Sequence, residues 1–118
     1  MKVLGFNRSE VKSVLDGKKF TTWRIFRPYY QSVRKGMRIE LAVSPALTVF
    51  AVARVLKARK TTFQNLNRED WKGHEKYASK NEMFRAFSRI YGVKIGPKTA
   101  LKIIQFKVIE KRAPKQWR

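Results

Sequence analysis

Lys19 is the residue whose type and neighbours best suit chemistry in this sequence. It lies between two further cations, Lys18 and Arg24. A lysine acts as a base or nucleophile only when burial or neighbouring positive charge lowers its pKa, and a carboxylate such as Glu82 at the same site would oppose that shift. The other interpretation is a solvated turn lysine that contacts phosphate, and the sequence leaves both open.

Thr22 and Glu82 each have a structural interpretation beside a functional one. Thr22 could orient a substrate carbonyl, but β-branched residues are also common in strands. Glu82 is the last residue of Ser79-Lys80-Asn81-Glu82, which has the spacing of a helix capping box. Because capping alone accounts for Glu82, a functional role requires that its carboxylate face a cleft instead.

The most strongly basic stretch surrounds Lys19 and contains no acid from Gly17 to Ile39. Its cations are interleaved with aromatic residues, a combination typical of RNA binding because cations neutralise phosphates while exposed rings stack on unpaired bases. In a strand, Trp23 points away from the side of Arg24, and we expect it in the core. The predicted nucleic-acid contacts of this stretch are Lys18, Lys19, Arg24, Arg27, Tyr29, Tyr30, Arg34, Lys35 and Arg38.

Two further basic segments add to these contacts. Arg85 and Arg89 are four residues apart on a predicted helix and form a basic stripe away from its apolar face. Lys111 and Arg112 begin a basic extension that we expect to become ordered on RNA. The predicted organisation is therefore one domain over residues 1–109 and a basic tail over residues 110–118. His74, the single histidine, is expected at the surface or half buried.

The net charge indicates a polyanionic partner. The 28 Lys and Arg residues against 8 Asp and Glu give +20, and each half of the chain carries +10, so the excess does not belong to a tail. The absence of Cys and the single His exclude cysteine chemistry and the usual zinc-ligand patterns, and no metal or other cofactor is expected. No apolar run approaches the ~20 residues of a membrane span, and the apolar start is too short for a signal peptide. We therefore expect a cytoplasmic protein that does not act at a membrane.

The elements that must position these residues are strands and short helices. Strands are predicted at residues 2–6, 20–25, 37–43, 47–56 and 101–109. Three short helices are predicted, one that ends before Gly17, one after Asn67 and one that begins after Ser79. The segment Phe26–Gly36 is predicted to be an exposed loop. The apolar face of the third helix comprises Met83, Ala86, Phe87 and Ile90. This order predicts an α+β fold, a small mixed or antiparallel β-barrel flanked by two or three short helices.

The segment Gly17-Lys18-Lys19-Phe20-Thr21-Thr22-Trp23-Arg24 resembles the signature of the ASCH domain family, which reads roughly Gly-x-Lys-x-x-Thr-x-Arg. Later segments resemble the family's downstream landmarks in the same order, and together they cover about residues 2 to 109. These segments are Lys35-Gly36-Met37-Arg38-Ile39, Ala51-Val52-Ala53-Arg54-Val55, Trp71-Lys72-Gly73-His74 with Glu82-Met83 and Tyr91-Gly92, and Leu101-Lys102-Ile103-Ile104-Gln105-Phe106. The resemblance implies a PUA-like β-barrel with a cleft, in a family associated with RNA binding and RNA metabolism.

Some members that the chain resembles are acetylcytidine amidohydrolases, which use a lysine, a threonine and a glutamate. The resemblance assigns these roles to Lys19, Thr22 and Glu82. Two residues depart from the enzymatic pattern, since Phe20 stands where enzymatic members often have Thr and Met37 replaces the Asp that usually follows the glycine.

The leading hypothesis is an RNA-binding protein whose partner is structured RNA such as ribosomal RNA, bound to or associated with the ribosome. The alternative is an enzyme of RNA metabolism, an amidohydrolase acting on acetylcytidine or a ribonuclease, that uses Lys19, Thr22 and Glu82. DNA binding is a third hypothesis. The even spread of charge favours binding, because a catalyst that releases a small nucleoside needs no such coat of cations.

Overall fold

A computed structural model describes residues 1–117 and shows a five-stranded mixed sheet curled into a half barrel. Its strands are β1 Lys2–Phe6, β2 Thr21–Ile25, β3 Arg38–Val43, β4 Thr48–Thr62 and β5 Ala100–Lys111. They lie in the order β1-β3-β4-β5-β2, and β1 and β3 pair in parallel while the other neighbours are antiparallel. The predicted α+β, PUA-like fold class is confirmed.

Short helices connect the strands. They are α1 Val11–Leu15, α2 Pro28–Gln31, α3 Arg68–Trp71 and α4 Lys80–Tyr91, with 3₁₀ turns at Arg8–Glu10, Phe63–Asn65 and Lys115–Trp117. The prediction of a continuous loop from Phe26 to Gly36 is wrong, because α2 lies within it; Pro28 occupies the first turn of α2, where its fixed φ suits a helix. The strand predicted to end at residue 56 continues to Thr62.

The sheet has an apolar core on each face. One core fills the half barrel and includes Leu41, Phe50 and Phe106, and the other lies between the sheet and α4. Trp23 belongs to the second core and is 2% exposed, so its predicted core position is confirmed. Ile90 was expected on the buried face of α4, but its side chain is 71% exposed, because the face that packs on the core runs through Met83, Phe84, Phe87 and Tyr91 and leaves Ile90 at its margin.

The two edge strands, β1 and β2, approach each other without a ladder of backbone hydrogen bonds. Side chains span the gap instead. Arg24 in β2 donates from Nη2 to the carbonyl oxygen of Gly5 in β1 at 2.9 Å. The Tyr29 hydroxyl accepts from the Val3 amide at 2.9 Å and donates to the Val3 carbonyl at 3.2 Å. The half barrel is therefore closed by two side chains, and a cleft opens beside them.

The residues of the predicted basic tail lie against the domain as far as they are described. Residues 110 and 111 continue β5, and the Arg112 amide donates to the Phe50 carbonyl at 2.9 Å. Ala113 is buried, and Trp117 packs against the barrel core beneath the Arg8 guanidinium, 4.2 Å from its ring centre. The last residue of that tail, Arg118, lies outside the described residues.

Within the described part of the chain, no helix has both the length and the apolar character needed to cross a membrane.

Candidate functional site

A cleft of about 610 Å³ opens where the two edge strands approach each other. Residues of β1, β2, α2, the end of α4 and the segment 74–77 line it. A volume of this size lies within the range of small-molecule sites in proteins. The polar residues that line the cleft include Glu10, Lys19, Thr22, Arg24, His74 and Glu75.

Lys19 lies at the floor of this cleft and not on a solvated turn. Gly17 ends α1 with a φ of +77°, a left-handed conformation that glycine adopts without strain, and the chain then enters β2. The Lys19 side chain is 9% exposed, and its Nζ forms an ion pair with the carboxylate of Glu75. A weaker contact joins Nζ to the Thr21 carbonyl at 3.4 Å. The ammonium group is therefore buried and paired.

Thr22 and Arg24 lie on the same side of β2 because side chains alternate along a strand. The Arg24 Nε donates to the Thr22 hydroxyl oxygen at 2.9 Å, and the guanidinium lies 5.0 Å from the centre of the Phe6 ring. Since a hydroxyl group has one proton and two lone pairs, Thr22 can still donate to a ligand while it accepts from Arg24. Arg24 combines two roles, as a cation in the cleft and as the bridge to β1.

The cleft contains five titratable residues that the sequence prediction did not place there, namely Glu10, His74, Glu75, Tyr77 and Tyr91. Gly73 accounts for the position of three of them. Its φ is +69°, and an added Cβ would lie 2.4 Å from the Phe20 ring, so only glycine lets this segment approach β2 so closely. Its carbonyl accepts from the amides of Phe20 and Thr21 at 3.0 and 3.2 Å. The close approach places the segment 74–77 over Lys19.

His74 is buried and not at the surface, which corrects the expectation drawn from the sequence. Its ring stacks on Trp23 with the ring centres 3.8 Å apart, and the Trp23 Nε1 donates to the Asp70 carbonyl at 2.9 Å. Burial lowers the pKa of His74 to about 4, although the neighbouring Glu75 opposes the shift. At neutral pH the imidazole is therefore uncharged, and its Nδ1 lies 2.8 Å from the Glu75 carbonyl oxygen.

The two carboxyl groups of the cleft have pKa values that move in opposite directions. Burial raises the pKa of Glu10, with only partial compensation from Lys19. Burial would also raise the pKa of Glu75, but His74 and the Lys19 ammonium together hold it below its ordinary value. Burial and the nearby Glu75 carboxylate raise the pKa of Tyr77, so its phenol keeps its proton. The cleft therefore holds one carboxyl group that is more easily protonated and one that stays ionised.

Glu82 does not join Lys19 and Thr22. Its backbone amide donates to the Ser79 hydroxyl at 3.1 Å at the start of α4, so the serine half of the expected capping box forms. The glutamate half does not form, because the carboxylate does not accept from the Ser79 amide. Its carboxylate is exposed and pairs with Arg85 at 2.9 Å. Glu82 is not among the residues that line the cleft. The structure thus brings two of the three predicted catalytic residues together and supplies Glu75 and Glu10 as their carboxylates.

The predicted nucleic-acid contacts divide between several surfaces. The cleft contains Lys19, Arg24, Arg27, Tyr29 and Tyr30. Lys18 is exposed and lines an adjoining recess that shares Lys19 and Glu75 with the cleft. The basic and aromatic stretch of the sequence is therefore only partly a single site.

The remaining predicted contacts lie elsewhere. Arg34, Lys35 and Arg38 are exposed where the chain enters β3 and do not line the cleft. Arg85 and Arg89 border an open groove on α4 together with Phe84. At the end of β5, Lys111 is exposed, and Arg112 pairs with Glu110 at 3.0 Å and with Glu40 at 3.4 Å.

Comparison with known proteins identifies the fold. No protein-family model matches the sequence, and no curated protein is significantly similar to it. Among solved structures, protein EF3133 from Enterococcus faecalis V583 superimposes with a TM-score of 0.74 and 15% identity, over 96% of this chain and 82% of that one. The ASCH domain from Lactobacillus crispatus JV V101 gives a TM-score of 0.66 at 12% identity, over 92% and 80%. ASCH from Zymomonas mobilis gives 0.61 at 15% identity, over 92% and 68%.

These similarities define the class of structure to which the chain belongs. It is a small α+β domain of the PUA-like type, and within that type it has an ASCH-type fold. The resemblance found in the sequence motifs therefore agrees with a similarity in fold over 92% or more of the chain. At these identities the similarity concerns the fold, and the function has to be argued from the site itself.

Proposed function

We propose that the protein binds RNA and holds an unpaired nucleotide in the cleft between its edge strands. One observation carries this proposal: the cleft of a chain with a net charge of +20 combines arginines with tyrosine rings. Cations contact phosphates, while aromatic rings stack on unpaired bases in a manner that tolerates any base.

The aromatic residues of the cleft have the exposure and neighbours that stacking requires. The Tyr29 side chain is 45% exposed, and its ring meets that of Tyr30 edge to face with the centres 5.4 Å apart. Across the cleft, the Arg27 guanidinium lies 5.1 Å from the centre of the Tyr91 ring. A base that entered between these groups would meet ring faces and a cation, and its phosphate would meet Arg24 or Arg27.

The proposed partner is structured RNA, with ribosomal RNA as the first candidate. The excess charge is spread equally over both halves of the chain, as is suitable for a protein with phosphate groups on several sides. A loop or bulge in a folded RNA offers the unpaired nucleotide that the cleft would hold, and the flanking helices offer phosphates. Association with the ribosome is part of this proposal, and co-sedimentation with ribosomes at low salt tests it.

The direct test is a titration of a fluorescent single-stranded oligoribonucleotide at several salt concentrations. We expect the logarithm of affinity to fall steeply with the logarithm of salt, by about 0.7 for every phosphate contact. The double substitution Arg27→Ala with Tyr29→Ala should weaken binding at least tenfold, whereas the matched control Lys94→Ala with Val93→Ala should bind like the wild type. Weak salt dependence, or equal binding by the two variants, contradicts the proposal. Competition with duplex DNA tests the DNA-binding hypothesis.

The opposed pKa shifts of Glu10 and Glu75 favour a second candidate function, the hydrolysis of an acetylated cytidine. In this reaction water adds to the acetyl carbon and the C–N bond breaks, which yields acetate and the free amine. Glu75, ionised beside Lys19, would take a proton from the water, and Glu10 would protonate the leaving nitrogen. The Thr22 hydroxyl would donate to the acetyl oxygen, and Lys19 would stabilise its developing charge.

Incubation with acetylated cytidine tests this second function. Lys19→Ala and Glu75→Gln should each lower turnover by at least a hundredfold, whereas Glu82→Gln should leave it unchanged because Glu82 lies outside the cleft. Absence of turnover by the wild type, or turnover that survives Lys19→Ala, eliminates the hydrolase assignment. Cleavage of single-stranded RNA in a parallel assay would indicate a ribonuclease instead.

A further inference from the structure

Three cations lie side by side on neighbouring strands of the sheet. Arg38 in β3 pairs directly with Arg54 in β4, and Arg54 pairs directly with Lys107 in β5. Directly paired residues project from the same face of a sheet, and neighbouring strands are about 4.8 Å apart. The residues beside Arg38 and Arg54, which are Ile39 and Val55, point into the half barrel, so the three cations project from its outer face. We call Arg38, Arg54 and Lys107 the outer cation row.

No ion pair neutralises the outer cation row within the described protein. The Glu110 carboxylate lies near it, but the hydrogen bond and charge of Arg112 lower the pKa of Glu110 more than Arg38 does. All three residues of the row are exposed, and among residues 1–117 no carboxylate forms an ion pair with any of them. The Arg54 Nη1 donates to the Gly36 carbonyl at 3.0 Å, which fixes its direction without neutralising it. Like charges directly opposite one another on a sheet oppose folding. An arrangement that costs stability in the free protein suggests an anionic partner.

Two β-bulges enclose the row. One lies between Val52 and Ala53 and leaves Ile109 of β5 without a partner, and the other lies between Val55 and Lys57 and leaves Leu56 of β4 without one. Bulges change the direction of side chains and strands, and they are common next to binding sites. The unpaired Leu56 and Ile109 are 47% and 42% exposed. The row is therefore a cationic strip with an exposed aliphatic side chain on either side.

We propose that the outer cation row binds backbone phosphates of the paired region of the same RNA whose unpaired nucleotide enters the cleft. This inference rests on the proposed function and adds a second contact surface to it. Arg34 and Lys35, exposed just before Arg38, extend the row toward the start of β3. In the sequence, Arg34, Lys35 and Arg38 belong to the basic stretch around Lys19. The register of the sheet instead places Arg38 beside Arg54 and Lys107, which come from distant parts of the sequence.

The chemistry of the surface selects phosphates over bases. Among the described residues, Tyr29 has the most exposed aromatic side chain, and it lies in the cleft. The row thus offers cations that can contact phosphates, with aliphatic side chains on either side. It offers no exposed aromatic ring on which a base could stack. Paired RNA hides its bases and presents regularly repeated charges, and this is the form of RNA that such a surface fits. An acidic protein segment is the competing occupant.

The test compares two triple variants with the same change in net charge. The row variant carries Arg38→Gln, Arg54→Gln and Lys107→Gln. The control variant replaces three exposed lysines outside the row and carries Lys80→Gln, Lys94→Gln and Lys98→Gln. For an RNA hairpin, the row variant should reduce the slope of log affinity against log salt by about 2 to 3, because each lost phosphate contact removes about 0.7 to 0.9. The control should change this slope by less than about 1. Both variants should bind a short single-stranded RNA alike.

The row variant should also unfold at a higher temperature than the wild type, which excludes misfolding as the cause of weaker binding. If the slope of log affinity against log salt for the hairpin is the same in the two variants, the inference is wrong. The proposed function still stands in that case, provided that the wild type binds RNA. Loss of hairpin binding by the control alone overturns the inference as well.

If the row variant loses affinity for polyglutamate while its hairpin affinity is unchanged, the surface binds an acidic protein and the inference is wrong. Failure of the wild type to bind either RNA contradicts the proposed function itself.

Discussion

The cleft and the outer cation row use the same kinds of side chain under opposite conditions. In the cleft, Lys19 is buried and paired with Glu75, and Arg24 bonds to Thr22 and to the other edge strand. In the row, Arg54 faces two other cations across the sheet and is exposed. Charges of the first kind hold the structure together, whereas those of the second kind oppose folding. Removal of a charge should therefore have opposite effects on stability in the two regions.

The largest expected effect concerns the support of the cleft floor. The Asp70 side chain is 1% exposed, accepts from Arg59 Nε at 3.0 Å and forms a capping box with Asn67. Asp70→Ala should lower the free energy of unfolding by about 3 to 5 kcal/mol, because it removes two charge-assisted hydrogen bonds from Arg59 together with the capping box. Urea denaturation measures this loss, and the exposed Glu82→Ala serves as the control with an expected loss below about 1 kcal/mol. A similar loss for both variants would contradict the distinction between buried and exposed charges.

The next effect is the pH dependence that His74 gives to the cleft. Its pKa is about 4 in the folded protein because of burial and about 6.5 in an unfolded chain, so protonation favours unfolding. The contribution of His74 to stability is complete above pH 6.5 and is lost as the pH falls toward 4, by about 3 kcal/mol in total.

Unfolding measurements on the wild type and on His74→Gln between pH 7.5 and 4 test this effect. The variant should be less stable at neutral pH because the stack on Trp23 is lost, but its stability should decline less between pH 6.5 and 4. Parallel curves for the two proteins would show that His74 does not titrate over this range.

A smaller effect separates the proposed stacking of Tyr29 on a base from its hydrogen bonds to Val3 in β1. Tyr29→Ala should weaken single-strand RNA binding by about 1 to 3 kcal/mol, the usual contribution of one stacked base. Tyr29→Phe keeps the ring and loses only the hydrogen bonds to Val3, so its RNA affinity should remain close to that of the wild type. If both variants lose affinity equally, the hydroxyl group and not the ring is responsible.

The smallest effect has the opposite sign. Arg54→Gln relieves the repulsion with Arg38 and Lys107, and it should raise the free energy of unfolding by about 0.5 kcal/mol. The gain should shrink at high salt because exposed charges are screened. Thermal unfolding at 20 mM and 500 mM salt measures it, with Lys94→Gln as the control. A loss of stability at low salt would show that the bond from Arg54 to Gly36 outweighs the repulsion.

Local patterns predicted most of the fold. The alternation of Ile39, Leu41 and Val43 marked β3, Gly17 marked the end of α1, and Ser79 marked the beginning of α4. Each of these signals depends on neighbours within a few residues. Ile90 followed the same helical period, but the covered face of α4 runs through Phe87 and Tyr91 and leaves Ile90 at its margin. The helical period alone does not reveal which way the buried face is turned.

The site was predictable only where it is local in sequence. Lys19, Thr22 and Arg24 lie within six residues, and they share the cleft. Glu75 reaches Lys19 from 56 residues away, through the close approach of Gly73 to Phe20, and a single sequence holds no distance information of that kind. The outer cation row was hidden for a similar reason, because it depends on strand register and on two bulges that neither residue type nor period indicates.

The two side chains that close the half barrel also protect an edge of the sheet. β1 is five residues long, pairs with β3 on one side and would otherwise offer free amide and carbonyl groups on the other. Tyr29 occupies both backbone groups of Val3, and Arg24 occupies the carbonyl of Gly5. An unprotected edge of this kind is a template for strand addition by a second chain, which leads to aggregation. The same contacts that bound the cleft therefore keep this highly charged molecule from extending its sheet into a neighbour.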